Sequence, residues 1–86
     1  MNINELIAIV KIKLEEKIII EGLEIEDKSF LHKKHKGHQE GKFHLKLSIK
    51  SNELAKFNKI EATKKVYSIL EKELKEHIHS IQVFFN

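Results

Sequence analysis

Between Phe43 and Lys50 apolar and polar residues alternate without a break. Phe43, Leu45, Leu47 and Ile49 fall on one side, and His44, Lys46, Ser48 and Lys50 on the other. A two-residue period sends successive side chains to opposite faces of a strand, so this run demands a sheet with one dry and one wet face. The dry face needs a covering layer. Ile3, Leu6, Ile7, Val10 and Leu14 follow helical spacing and predict a helix over about residues 3–17. Asn2 followed by Glu5 resembles a capping box at its start. Ala62, Val66, Ile69, Leu70 and Leu74 predict a second helix over about 61–76.

Two weaker strands complete the layer. After the β-branched run Ile18-Ile19-Ile20 and Gly22, the residues Leu23 and Ile25 alternate with Glu24 and Glu26. Near the end, Ile81, Val83 and Phe85 alternate with Ser80, Gln82 and Phe84. Ser51-Asn52-Glu53 reads as a turn, and Leu54 to Ile60 as loop or short helix. The expected architecture is α+β in the order α-β-β-α-β, with both helices on one face of a three-stranded sheet. Eighty-six residues leave room for one core, so residues 1–86 are read as a single domain.

Charge and composition exclude several classes. Sixteen basic and 13 acidic residues are interleaved and leave a net charge of +3, a weak electrostatic case for nucleic acid. There is no cysteine, hence no disulfide, thiol nucleophile or thiolate ligand within the chain. No apolar run approaches the roughly 20 residues that span a bilayer, and Met1-Asn2-Ile3-Asn4-Glu5 lacks the basic flank of a signal peptide. A cytoplasmic protein is expected, with no membrane association. No paired carboxylates, nucleophile motif or phosphate-cradling loop stands out, so an enzyme is not expected.

The connection from Asp27 to Lys42 is long for a hairpin and holds three of the six histidines, His32, His35 and His38, spaced three apart. Such a loop could bind a metal, a metal cluster or an anion, or be a solvated connection only. Imidazole is the only nitrogen or sulfur metal ligand of consequence in the chain. His79 falls where the second helix would end, a position at which the helix dipole favours a cation. His44 and His77 are read as surface residues. Lys33, Lys34 and Lys36 form a basic loop tip and, with Lys64 and Lys65 of the second helix, make the best surface for an alternative reading as a nucleic-acid-binding transcriptional regulator, with DNA as a candidate partner.

Several of these features together resemble the BolA-like family. They are Asp27-x-Ser29-x-x-His32, then His44 opening a strand that ends at Ser51, then a helix followed by Ile78-His79-Ser80-Ile81. The resemblance covers nearly the whole chain and implies a fold like the type II KH domain. It further implies pairing with a monothiol glutaredoxin and a [2Fe–2S] cluster shared between the two, none being held by this chain alone. Glutaredoxin and glutathione would supply sulfur, and this chain a histidine before the last strand, which falls on His79. A second ligand would come from the loop, His32 by its spacing from Asp27. His38 competes, because His35-Lys36-Gly37-His38 is similar to the family's His-x-Gly-His. The free protein would be a monomer or a weak homodimer.

Two departures stand out: Ala62-Thr63-Lys64 occupies the place of an Arg-His-Arg triplet, and the histidine loop is about three residues longer than in typical relatives. Gly37 and Gly41 are one residue too far apart for the Gly-x-x-Gly clamp with which a KH domain holds RNA.

Overall fold

The computed structural model describes residues 2–29 and 42–86. A first helix, α1 (Ile3–Lys17), leads to strand β1 (Gly22–Asp27) and then to β2 (Phe43–Lys50). A 3-10 turn (Leu54–Lys56), α2 (Lys59–Ile69) and a short α3 (Glu71–Glu76) form the crossover to β3 (Ile78–Phe85). The sheet order is β1-β2-β3, antiparallel between the first pair and parallel between the second. The expected α+β layer architecture is what the chain adopts.

The starts of α1 and α2 are each fixed by an asparagine. At α1 the Glu5 backbone N–H donates to Asn2 Oδ1 at 2.8 Å. The Glu5 carboxylate accepts from the Asn2 side-chain amide, not from its backbone, so only half of a true capping box forms. The complete box is at α2. There Asn58 Oδ1 accepts from Glu61 N at 2.8 Å and Glu61 Oε1 accepts from Asn58 N at 3.3 Å. This box starts the second helix at Lys59, two residues before the point suggested by the apolar stripe.

Leu6, Val10 and Leu14 of α1 meet Ala62, Val66 and Leu70 over Leu45, Leu47 and Ile49 of the central strand, all of them buried. The predicted single helix over 61–76 is divided at Leu70, whose φ of −98° and ψ of 16° leave the helical region for one residue. No glycine or proline marks the break, and the apolar spacing runs straight through it. The bend keeps Leu70 in the core. It also brings Glu73 of α3 to Lys13 of α1, with Nζ to Oε2 at 2.6 Å.

The Glu73 side chain is only 5% exposed and that of Lys13 36%. Removing the lysine therefore strands a carboxylate that water cannot fully reach. Lys13→Ala should lower stability by about 2 kcal/mol, given the partly exposed partner. In a domain of this size that is a fall of roughly 8–16 °C in Tm. Adding Glu73→Leu should restore most of the loss, because an apolar side chain needs no partner there. Thermal melts of the single and double variants check this, and equal melting points would mean that the pair is not the cause.

Candidate imidazole site on the polar face of the sheet

The face of the sheet turned away from the helices is polar. Glu24 and Glu26 of β1 stand beside Ser48 and Lys46 of β2, and Lys46 Nζ lies 3.5 Å from Glu26 Oε2 and 5.1 Å from the centre of the Phe84 ring. A cleft of about 410 Å³ opens on this face, lined by Lys28, His44, Lys46, Ser80, Gln82 and Phe84.

At one end of the cleft the β2–β3 register slips. Phe43 pairs with Ile78, but His44 pairs with Ser80, so His79 is an extra residue on β3. The cause is legible in the side chains. Ile78 and Ile81 are three apart and both join the core, which a strict two-residue period forbids. Inserting one residue reconciles them and puts His79 and Ser80 together on the polar side.

Both residues then touch His44. Its Nδ1 is 2.5 Å from Ser80 Oγ, and its Nε2 is 3.2 Å from His79 Nδ1. The two imidazole rings meet edge to face, with centroids 4.8 Å apart and an interplanar angle of 69°. His44 is also held through its backbone. Its N–H donates to Ser29 Oγ at 3.0 Å, and its carbonyl accepts from Lys28 N at 2.7 Å. Asp27 Oδ1 accepts from the Ser29 backbone N–H at 2.9 Å. The Asp-x-Ser of the sequence motif is thus a turn that ties the base of the histidine-rich connection to the start of β2.

The reading of His44 as a surface residue is wrong: it is 5% exposed although it stands on the polar face. Alternation alone aims it outward with Lys46, and what buries it is the slip in a neighbouring strand. His79 is not at a helix end either. His77 caps α3, half-buried, and His79 is the second residue of β3, exposed to solvent. Among the described residues His79 Nε2 makes no hydrogen bond. His32, His35, His38, Lys33, Lys34 and Lys36 lie outside the described residues. Lys64 is exposed on α2, whereas the ammonium of Lys65 lies 5.1 Å from the centre of the Phe57 ring. Among the described residues no three His, Cys, Asp or Glu side chains gather as a metal site. Nor is any described helix long and apolar enough to cross a membrane.

A mixed three-stranded sheet, helices on one face and an imidazole pair at the start of the parallel strands make up a small α+β domain. The model of the BolA-like protein family matches residues 14–85, and the chain belongs to that family. It is similar to the BolA domain of SufE1 and to BolA1, both from Arabidopsis thaliana. Each has 26% identity and a TM-score of 0.78, over 92% of this chain and 87% of that one. The solution structure of BolA1 from Mus musculus shares the fold at 21% identity and a TM-score of 0.71, over 90% of this chain and 60% of that one. No curated protein sequence matches. Membership in the family supports a non-enzymatic accessory role.

Proposed function

We propose that this chain pairs with a monothiol glutaredoxin and co-ligates a [2Fe–2S] cluster, in iron–sulfur cluster trafficking or iron-linked regulation in the cytoplasm. His79 is its principal ligand. The second comes from the histidine-rich connection, His32 first and His38 after it. The observation that carries the reading is the exposed His79 ring, whose Nδ1 lies against Nε2 of buried His44 while its own Nε2 makes no hydrogen bond among the described residues. A metal-ligating histidine usually donates its other ring N–H to a fixed acceptor, and here His44 Nε2 stands where that acceptor would be.

The donor set fits a shared cluster and not one held alone. The chain contains no cysteine, so thiolate must come from the partner. Imidazole in place of thiolate raises the potential of such a cluster. Ser29, hydrogen-bonded to the His44 backbone, is three residues along the chain from His32, so the connection leaves the sheet beside the imidazole pair.

The test is anaerobic cluster reconstitution of this chain mixed with a monothiol glutaredoxin, followed by visible absorption and circular dichroism. The mixture should give a spectrum distinct from that of glutaredoxin alone, and this chain by itself should give none. His79→Ala should return the spectrum to that of glutaredoxin alone. A mixed spectrum that is unchanged by His79→Ala would overturn the ligand assignment.

A further inference from the structure

His44 is not one of the proposed ligands, yet it is the buried member of the imidazole pair and both of its ring nitrogens are engaged. A neutral imidazole has one N–H and one lone pair. Along the row His79 Nδ1, His44 Nε2, His44 Nδ1, Ser80 Oγ, the protons can therefore run in only two directions. In one, Ser80 donates to His44 Nδ1 and His44 Nε2–H donates to His79 Nδ1, which leaves the remaining proton of His79 on Nε2. In the other, His79 Nδ1–H donates to His44 Nε2 and His44 Nδ1–H donates to Ser80 Oγ. Only the second presents a lone pair at His79 Nε2.

The geometry points to His44 as the positioning residue of His79. It accepts the Nδ1 proton and so fixes both the ring orientation and the tautomer that can bind a metal at Nε2. This inference rests on the reading of His79 as a ligand. It adds what that reading lacks, a reason why an exposed imidazole on a bulge should be preorganised. An unheld ring would have to give up its rotamer freedom and shift its proton when it binds. Here the bulge, the buried ring of His44 and the Ser80 hydroxyl have already fixed the orientation in the folded chain. His44 is in turn held by its backbone bonds to Ser29 and Lys28, so the support is part of the sheet.

The test uses the full chain, histidine ring nitrogens labelled with ¹⁵N, in wild-type form and as His44→Leu, His44→Gln, Ser80→Ala and His79→Ala. In the free protein a scalar coupling across the N–H···N bond between the two imidazoles should be seen in the wild type and be lost in His44→Leu. In the mixture with glutaredoxin, loss of cluster to a chelator should be about 10- to 100-fold faster for His44→Leu, the usual effect of removing the partner of a ligating histidine. His44→Gln should recover most of this, because the Gln carbonyl can reach the place of Nε2 and accept the same proton. Ser80→Ala should have a smaller effect in the same direction.

Wild-type cluster retention in Ser80→Ala together with equal loss in His44→Leu and His44→Gln would show a packing role only and overturn the inference. So would the absence of the coupling in the wild type. If instead His79→Ala leaves the mixed spectrum unchanged, the ligand reading itself falls, and that outcome is distinct. Should His44→Leu fail to fold, the comparison of Ser80→Ala and His44→Gln with the wild type still decides.

Discussion

Deleting His79 should leave the fold standing and abolish the mixed cluster. The residue is the insertion in β3, so its removal lets Ile78, Ser80 and Ile81 follow the plain two-residue period against Phe43, His44 and Leu45. Ile78 and Ile81 stay in the core and Ser80 keeps its place opposite His44. A Tm within about 5 °C of the wild type is expected, equivalent to about 1 kcal/mol or less, together with complete loss of the spectrum obtained with glutaredoxin. A fall of about 15 °C or more would mean that the bulge is needed by the sheet itself. Deletion is the sharper experiment than substitution because it restores regularity while removing the ligand.

Leu47→Ala should produce the largest loss of stability among the single substitutions considered. Leu47 lies in the central strand, fully buried, opposite Ile25 on one side and Val83 on the other. Truncation removes the transfer free energy of its methyl groups and leaves a cavity that a three-stranded sheet cannot readily close, about 3 kcal/mol in all. In a chain of this length that is a fall of roughly 12–24 °C in Tm. Ser48→Ala, one residue along on the polar face, should change stability by no more than about 0.5 kcal/mol. Urea titrations of the two variants check the contrast. Similar midpoints would contradict the assignment of the dry face.

Most of the layer architecture was legible because it depends on periodicity. The alternation through Phe43–Ile49 and the stripe of Leu6, Val10 and Leu14 each have one dominant period, and apart from His44 the buried residues of these two runs are those the patterns named. The division at Leu70 was not legible, since neither glycine nor proline stands there and tertiary packing alone bends the chain. The site was half legible. The family resemblance singles out His79 as a histidine before the last strand, whereas the residue pattern alone places it at a helix end and reads His44 as a surface residue. Ile78 and Ile81, three apart and both apolar between a helix and a strand, were the available signal. Two inward-facing residues at that spacing require an insertion, and the insertion is what brings the histidines together.

The parallel pairing of β2 with β3 also has a consequence in time. His44 and His79 are 35 residues apart in sequence, and parallel neighbours can meet only after the whole crossover has been laid down. Closing so long a segment costs chain entropy that only the finished sheet and its helices repay. The oriented imidazole therefore cannot exist in a partly folded chain, in which each histidine would offer iron an unheld ring. A partner able to sense how firmly its last ligand is held would in effect be reading whether this small protein has completed its topology.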